Sequence, residues 1–221
     1  MAITADTESG KFKQWNYRFL PAKEEPSRLL VLIHGWGGDE DSMWVFARKV
    51  PPGTAVLSPR GPYKIAETGY SWRAIQPGLE GLPNFDDFRP SARALMNFID
   101  EWSSGNGMNF AQVDLIGFSQ GAAISYSMAL LYPARVRSLA ALSGFIPAGG
   151  EKLIAAQLLA GKFVYIAHGR QDKIIPIEHA HTAVKLLESG GAKVFLCETD
   201  GDHKVSIACF SGVKKFLRGD M

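Results

Sequence analysis

The feature that most constrains the fold is the alternation of short apolar runs with amphipathic helical windows along the chain. Seven runs have the length and composition of β-strands, at residues 15–20, 29–34, 55–58, 113–117, 136–143, 163–168 and 193–197. Most are continuously apolar, which is typical of parallel strands covered by helices on both faces of the sheet. Strands that alternate with helices indicate βαβ units. The sequence therefore predicts an α/β fold with a mostly parallel central sheet.

The first run differs from the others because its apolar residues alternate. Trp15, Tyr17 and Phe19 fall on one side of an extended chain, with polar residues between them. Alternation is typical of a strand with one exposed face, so we interpret residues 15–20 as an antiparallel strand at the edge of the sheet.

Five windows carry helical signals. Apolar residues recur at helical spacing over residues 88–102 and again over residues 205–217. Windows 151–160 and 177–189 each end at glycine, and window 121–131 directly follows a strand. The chain contains no internal repeat, low-complexity tract or linker, so we expect residues 1–221 to form one domain.

Residues 62–84 show neither helical nor strand periodicity, although they contain Tyr63, Tyr70, Trp72 and Pro77. Long irregular segments in compact domains are commonly functional loops. Two interpretations stay open for this segment: a packed cover over the sheet edge, or a loop that faces a substrate. The sequence does not decide whether the segment moves as a lid.

Composition and charge argue against several classes of function. The 24 Lys and Arg residues nearly balance the 22 Asp and Glu residues, and no basic run is present. Nucleic acids and anionic membranes attract clustered positive charge, so neither is an expected partner. No apolar stretch reaches the 18 residues or so that a bilayer-spanning helix requires. We expect neither nucleic-acid binding nor integral membrane association.

Cys197 and Cys209 are the only cysteines. Two cysteines do not make a disulfide framework, and their spacing matches no standard metal site. The first residues also lack the apolar core of a secretory signal. We therefore expect free thiols, a cytoplasmic location and no metal bound by the cysteines.

A candidate nucleophile lies in residues 117–121, which read Gly-Phe-Ser-Gln-Gly and match the pattern G-x-S-x-G. The match follows an apolar run and precedes a helical window, as a nucleophile elbow requires. Glycines at 117 and 121 suit a turn where strand and helix crowd together. Such a turn holds the Ser119 hydroxyl clear of the sheet and aims the backbone N–H of Gln120 at charge forming beside it. A glycine-flanked turn without chemistry is the alternative.

A serine hydroxyl needs a base within hydrogen-bond reach and an acid that orients the base. On a sheet of this kind the chain order is serine, acid, histidine, which excludes His34 and His168 as the base. His179 and His181 fall inside a helical window, whereas His203 follows the last strand run and precedes the last helical window. His203 is therefore the candidate base.

The candidate acid is Asp172, which directly follows the strand run at residues 163–168. Open α/β sheets place their sites at the carboxyl ends of the strands. Asp200 and Asp202 are alternatives, but a carboxylate so close in sequence to His203 faces its imidazole poorly. An oxyanion site needs a second N–H, and the glycine-rich loop at residues 35–38 is its expected source.

The sequence supports neither a nucleotide-phosphate-binding motif nor a metal-binding motif. The stretch HGWGGDE is not G-x-G-x-x-G, and no G-x-x-x-x-G-K-[ST] occurs. The pair His179 and His181, and the neighbours Asp202 and His203, match no standard set of metal ligands.

These motifs together resemble the α/β-hydrolase superfamily, and within it the small carboxylesterase/phospholipase family that includes acyl-protein thioesterases. The similar stretches, from residue 29 to 206, are LLVLIHGWGG, SPRGP, GFSQGAAIS, LSGFIP, HGRQDKIIP and GDHKVS. The resemblance implies an α/β-hydrolase fold with minimal or no separate cap domain, and cofactor-free hydrolysis of esters or thioesters. It implies Ser119 as nucleophile, Asp172 as acid and His203 as base, with Trp36 as oxyanion donor beside Gln120.

The expected activity is therefore the cleavage of carboxylic esters with small or medium acyl chains by a serine hydrolase, with thioesters as a second substrate class. Ala122 and the stretch GYSWRAI differ from eukaryotic thioesterases, which favours a general esterase over protein depalmitoylation. A catalytically silent binding protein, or a peptidase or carbon–carbon hydrolase with the same triad, are the alternatives.

The substrate pocket is the least determined part of the site. Trp36, Trp72, Phe145 and Ile174 flank strand ends and are expected to form its apolar walls, with core packing as the alternative for each. A homodimer is compatible with the sequence but not indicated by it.

Overall fold

The computed structural model describes residues 7–65, 67, 69–74 and 82–220. The strands are β1 (Glu8–Phe12), β2 (Trp15–Leu20), β3 (Arg28–Ile33), β4 (Thr54–Pro59), β5 (Tyr63–Lys64), β6 (Tyr70–Ser71), β7 (Val113–Phe118), β8 (Val136–Leu142), β9 (Phe163–Gly169) and β10 (Lys193–Thr199). The α-helices are α1 (Phe85–Gly105), α2 (Gln120–Leu131), α3 (Glu178–Ser189) and α4 (Ile207–Arg218). Two 3₁₀ helices lie at Trp44–Lys49 and Gly150–Leu153.

The central sheet has eight strands in the order β1-β2-β4-β3-β7-β8-β9-β10. The six strands from β4 to β10 run parallel, whereas β2 pairs antiparallel with both β4 and β1. The predicted α/β fold with a mostly parallel sheet is confirmed. Strands β5 and β6 form a separate two-stranded ribbon within the segment that lacked periodicity.

The prediction that residues 15–20 form the edge of the sheet is wrong, although they are antiparallel as expected. Strand β1 pairs outside β2, with Glu8 opposite Phe19 and Phe12 opposite Trp15. The sequence of β1, ESGKF, is mostly exposed. An exposed edge strand requires no apolar run, so this strand gave no signal of its own.

Helices cover both faces of the sheet, and β3 therefore buries alternate side chains in two separate cores. Leu29, Val31 and Ile33 lie in the cluster beneath α1, α2 and α3. Leu30 and Leu32 lie in the opposite cluster, beneath α4 and the 3₁₀ helix at Trp44–Lys49. This arrangement explains why the strand reads as a continuous apolar run.

Helix α1 follows its predicted pattern closely. Asn84 caps its first turn, accepting bonds from the N–H groups of Asp86 and Asp87 while the Asp87 carboxylate accepts from the N–H of Asn84. The predicted apolar stripe is fully buried against the sheet and comprises Phe88, Ala92, Leu95, Ile99 and Trp102. Across the described ranges, no helix is both long enough and apolar enough to cross a membrane.

The predicted helix at residues 151–160 is wrong. One turn of 3₁₀ helix ends at Leu153, and turns follow, with Gln157 at a φ of +66°. The N–H of Leu159 donates to the carbonyl of Gly190 at the end of α3, 2.8 Å away. This tertiary bond and the burial of Leu159 override the local helical preference.

Cys197 in β10 and Cys209 in α4 form a disulfide bond, so the prediction of free thiols is wrong. The two residues are twelve apart in sequence, and their Cα atoms lie 5.8 Å from each other because α4 packs against the end of β10. The expectation of a cytoplasmic location rested partly on free thiols and loses that support.

Candidate active site

The loops that leave the carboxyl ends of four parallel strands converge at one edge of the sheet. Residues 34–38 follow β3, Ser119 follows β7, Asp172 follows β9 and His203 follows β10. Parallel strands bring such loops to a common edge whatever their separation in sequence. Ser119 and His203, which are 84 positions apart in sequence, are therefore in hydrogen-bond contact at this edge.

Ser119 occupies a strained turn between β7 and α2. Its φ of +53° and ψ of −115° are unfavourable for a residue with a side chain. A β-carbon on Gly117 would lie 2.3 Å from the carbonyl oxygen of Gly121, and one on Gly121 would lie 2.1 Å from that of Ile33. The crowding predicted from the two glycines is thus present. The turn is held by the N–H of Ser119, which donates to the carbonyl of Leu142.

His203 lies between Ser119 and Asp172. Its Nε2 is 2.9 Å from Ser119 Oγ, and its Nδ1 is 2.7 Å from Asp172 Oδ2. A carboxylate only accepts hydrogen bonds, so Nδ1–H donates to Asp172 and Nε2 is free to accept from the serine hydroxyl. The three sequence-predicted side chains therefore form one continuous hydrogen-bonded chain.

The Asp172 carboxylate is fully buried and fixed by its own loop. Its Oδ1 accepts the backbone N–H groups of Ile174 and Ile175, at 2.9 and 2.8 Å. Its Oδ2 accepts from His203. Bonds to both oxygens hold the carboxylate in one orientation and satisfy a charge that would be costly to bury alone.

His168, which the sequence excluded as the base, packs against this carboxylate. Its Nε2–H donates to the carbonyl of Ile175 at 2.7 Å and lies 3.4 Å from Asp172 Oδ2. Burial lowers the pKa of His168 and outweighs the opposing effects of the Ile175 carbonyl and the Asp172 charge. The imidazole is therefore neutral, and it shields the acid from water.

Phe118 also belongs to the site, although no sequence pattern pointed to it. Its ring lies 5.1 Å from the imidazole of His203, centroid to centroid. It precedes Ser119 directly, so the elbow that presents the serine also places an apolar surface against the base. The variable position of the G-x-S-x-G pattern carries no preference from which this contact could be predicted.

Two backbone N–H groups are available beside Ser119. Gln120 is the first residue of α2, and the N–H of a first helical residue has no partner within its helix. Among the described residues, none accepts a hydrogen bond from the N–H of Trp36. The loop before Trp36 touches the elbow, since a β-carbon on Gly35 would lie 3.4 Å from the Cβ of Ser119.

His34 fixes the loop that carries Trp36. The N–H of Gly61 donates to its Nε2 at 2.9 Å, so its Nδ1 carries the proton and donates to the carbonyl of Gly35 at 2.7 Å. Burial lowers the pKa of His34 and keeps the ring neutral. His34, which the sequence excluded as the base, thus connects the loop at residues 34–38 to Gly61, which follows β4.

The four predicted pocket residues have different environments. Trp36 and Ile174 are on the rim of the site, 49% and 65% exposed. Phe145 is buried and forms one wall of a cavity of about 420 Å³ that extends to Leu82 and Leu186. Trp72 has no accessible surface and packs beneath the site, which differs from its expected place in a pocket wall. Pro77, in the same irregular segment, lies outside the described residues.

The remaining candidates lie away from this chain of hydrogen bonds. His181 contacts Glu198, Asp200 pairs with Arg170, and Asp202 pairs with Lys204. His179 in α3 faces the ring of Phe145. Within the part of the chain that the structure describes, no three histidine, cysteine or acidic residues are grouped as metal ligands.

Asp114 is buried at the opposite end of β7. Burial would raise the pKa of its carboxyl, but hydrogen bonds from Arg137 and Ser138 and the charge of Arg28 outweigh burial and lower it. The carboxylate therefore stays charged and ties β3, β7 and β8 together at the edge remote from Ser119.

This topology, with a serine elbow after a central strand and loops converging above it, defines an α/β-hydrolase fold. A carboxylesterase of Bacillus cereus has the same fold, with a TM-score of 0.82 and 25% identity over 95% of this chain and 96% of that one. The model of the phospholipase/carboxylesterase family matches residues 17–220, and the chain belongs to that family.

Two curated relatives differ in their described activity. Acyl-protein thioesterase 1 of Kluyveromyces lactis is 27% identical over 186 residues, which cover 76% of this chain and 79% of that protein. A protein of Oryza sativa subsp. japonica is 26% identical over 179 residues, covering 75% and 73%, and is named a probable inactive carboxylesterase. The similar proteins therefore include one named a carboxylesterase, one named an acyl-protein thioesterase and one named inactive, so activity has to be argued from the residues of this chain.

Proposed function

We propose that the protein is a serine hydrolase that cleaves carboxylic esters with small or medium acyl chains, using Ser119, His203 and Asp172. The observation that carries this proposal is the pair of short contacts made by one imidazole, 2.9 Å to Ser119 Oγ and 2.7 Å to Asp172 Oδ2. A catalytically silent member of the family needs neither contact. It also does not need the strained turn that brings the Ser119 hydroxyl within reach of His203.

The first half of the reaction acylates Ser119. His203 Nε2 takes the proton of the serine hydroxyl as Oγ attacks the ester carbonyl carbon. The carbonyl oxygen gains the negative charge, and the N–H groups of Gln120 and Trp36 stabilise it. When the tetrahedral intermediate collapses, the carbon–oxygen bond to the alcohol breaks, and His203 gives its proton to the departing alkoxide.

The second half releases the acid. Water loses a proton to His203 Nε2 and attacks the acyl-enzyme carbonyl, and the bond to Ser119 Oγ breaks as that oxygen regains the proton. Asp172 takes no proton in either half, because its role is to hold the Nδ1–H tautomer and to stabilise the imidazolium. The N–H groups of Ile174 and Ile175 hold its carboxylate in place for this role.

The proposed substrate class rests on apolar residues in the loops at the carboxyl edge of the sheet. Trp36 and Ile174, in the loops after β3 and β9, expose apolar surface, and Phe145, after β8, lines a cavity of about 420 Å³. Apolar surface of this kind suits a small or medium acyl chain. Thioesters have the same reacting carbonyl and are a second substrate class, as the yeast thioesterase relative suggests.

The test is hydrolysis of p-nitrophenyl esters from acetate to decanoate by the wild type and by Ser119→Ala. We expect Ser119→Ala to lower kcat by about 10⁴-fold or more. Ser143→Ala is the matched control, since Ser143 is also at a positive φ at this edge of the sheet but its hydroxyl is buried. Equal rates for wild type and Ser119→Ala would reject the proposal.

The same panel separates an esterase from a silent binding protein and from a peptidase. Anilides of the same acids report peptidase-type activity, and matching thioesters report thioesterase activity. A silent binding protein hydrolyses none of these substrates, and a peptidase prefers the anilides to the esters.

A further inference from the structure

We propose that Trp72 is a positioning residue that fixes the separation of the two oxyanion donors, the backbone N–H groups of Gln120 and Trp36. The inference rests on the proposed function, because an oxyanion forms only when Ser119 attacks a carbonyl. Trp72 has no accessible surface, so it acts through the residues that it contacts and not on the substrate.

The first link joins Trp72 to the elbow. Its backbone N–H donates to the side-chain oxygen Oε1 of Gln120 at 2.8 Å. The same amide group contacts the hydroxyl of Ser71 at 3.2–3.3 Å, and the Gln120 side chain is buried. The residue that supplies the first oxyanion N–H is therefore anchored, by its own side chain, to the segment that contains Trp72.

The second link joins Trp72 to the other donor. Its indole Nε1–H donates to the carbonyl oxygen of His34 at 2.8 Å, and the two rings lie 5.0 Å apart between centroids. His34 is two residues before Trp36 and holds the intervening Gly35 through its own ring. A shift of the Trp72 indole would therefore displace the loop that carries the second N–H.

The neighbouring backbone strengthens this arrangement. Tyr70 makes two backbone hydrogen bonds to the loop at residues 34–38. Its carbonyl accepts from the N–H of Gly37 at 3.0 Å, and its N–H donates to the carbonyl of Gly38 at 2.9 Å. Strand β6 thus lies along the loop, and Trp72 directly follows β6. Trp72 is the point at which this strand reaches both the loop and the elbow.

Packing prevents the Trp72 ring from adjusting independently. It stacks on Trp15 of β2, with ring centroids 6.4 Å apart and planes 30° from parallel. Protein interiors are close-packed, so little free volume is available for a buried ring to move into. The two hydrogen bonds of Trp72 therefore connect Gln120 to His34 through one tightly packed residue.

The consequence is specific to the transition state. Oxyanion donors stabilise charge that exists only during reaction, and loss of one donor costs about 10²–10³-fold in kcat. A partial displacement of Trp36 should therefore lower kcat and weaken binding of tetrahedral adducts, while KM for a small ester, which reflects ground-state contacts, stays nearly constant.

Trp102 offers a matched control for this effect. It is also fully buried, on α1, and among the described residues its indole N–H has no hydrogen-bond acceptor. Trp102→Phe and Trp72→Phe remove the same atoms from comparable surroundings, but only Trp72→Phe breaks a hydrogen bond. The difference between the two variants isolates the bond to His34 from general core packing.

The experiment compares wild type, Ser119→Ala, Trp72→Phe and Trp102→Phe. It measures kcat and KM for p-nitrophenyl acetate and the inhibition constant of an aliphatic trifluoromethyl ketone, which forms a tetrahedral adduct with serine. For Trp72→Phe we expect kcat to fall at least about 10-fold, the inhibition constant to rise by a similar factor, and KM to change less than about twofold. Trp102→Phe should stay within about twofold of wild type in all three.

Each outcome decides one question. Equal kinetics for Trp72→Phe and Trp102→Phe overturn the inference and leave the proposed function intact. A wild type without Ser119-dependent hydrolysis overturns the proposed function itself. If Trp72→Phe does not fold, as judged by circular dichroism, Gln120→Leu breaks the first link instead. The same selective loss in Gln120→Leu supports the inference, and unchanged inhibition and kcat overturn it.

Discussion

Gly169 and Gly201 approach so closely that a β-carbon on Gly169 would lie 2.3 Å from the carbonyl oxygen of Gly201. Gly169 begins the loop that carries Asp172, and Gly201 lies in the loop that carries His203. The N–H of Gln171 donates to the carbonyl of Gly201 at 2.9 Å. The two loops are therefore one packed unit, and their contact sets the distance between acid and base.

We expect Gly169→Ala to separate these loops and to lower kcat/KM for p-nitrophenyl acetate by about 100-fold, since a displacement near 1 Å in a catalytic group has an effect of that order. Gly105→Ala is the control, because a β-carbon at the end of α1 would meet the Phe12 ring at an ordinary 3.4 Å. Full activity in Gly169→Ala would show that the contact does not position the catalytic groups.

We expect Asp172→Asn to lower kcat by about 10⁴-fold without unfolding the protein. An amide that turns its NH₂ toward His203 forces the wrong imidazole tautomer, whose Nε2 then carries a proton and no longer accepts from Ser119. Steady-state ester hydrolysis and circular dichroism are the measurements.

The control for this substitution is Asp200→Asn, in the adjacent loop. Asp200 is exposed and pairs with Arg170 on the surface, so its replacement should leave kcat within about twofold. Asp172→Asn with the activity of Asp200→Asn would refute the role of Asp172 as the orienting acid.

The disulfide between Cys197 and Cys209 should stabilise the fold by about 3 kcal/mol, from the chain entropy of closing a loop of this length. Reduction by a phosphine should then lower Tm by about 10 °C in a protein of this size. The variant Cys197→Ala/Cys209→Ala should be insensitive to the same reductant. Two reactive thiols in unreduced, denatured wild type would contradict the bond.

The free energy of unfolding should decrease as the pH falls below about 6.5. Burial lowers the pKa of His34 and His168, so the unfolded chain binds protons at these residues that the folded chain does not. The loss is bounded at about 1.4 kcal/mol for each histidine at pH 5.5. Urea unfolding at pH 7.5 and 5.5 measures it.

A His168→Gln variant tests the source of this pH dependence. Glutamine can still donate to the carbonyl of Ile175, as Nε2–H does in the wild type, but it does not titrate in this range. The difference in stability between pH 7.5 and 5.5 should be smaller in the variant. An unchanged difference would mean that His168 does not contribute.

Much of the fold was predictable because burial on both faces leaves a local signature. Strands β3 and β7 are apolar throughout and were located to within a residue or two. Strand β1 was missed because an exposed edge requires no such signature, and the helix expected at residues 151–160 failed because the bond from Leu159 to Gly190 is not encoded locally.

The site was predictable to the extent that its chemistry requires particular residue types in a particular order. Ser119, Asp172 and His203 were selected by that order, and the structure has them in hydrogen-bond contact. The disulfide was missed because twelve residues of sequence say nothing about how α4 packs on β10. Trp72 was expected in a pocket wall, since aromatic residues near strand ends look alike whether they face solvent or the core.

The most direct test of the account is covalent labelling of the protein with a fluorophosphonate probe, followed by mass-spectrometric mapping of the modified residue. An activated serine attacks phosphorus and displaces fluoride, so we expect one adduct per chain, on Ser119, at an unchanged level in Ser143→Ala and absent from Ser119→Ala. A wild-type protein that remains unlabelled, or that is labelled equally in Ser119→Ala, would contradict the claim that His203 and Asp172 activate Ser119.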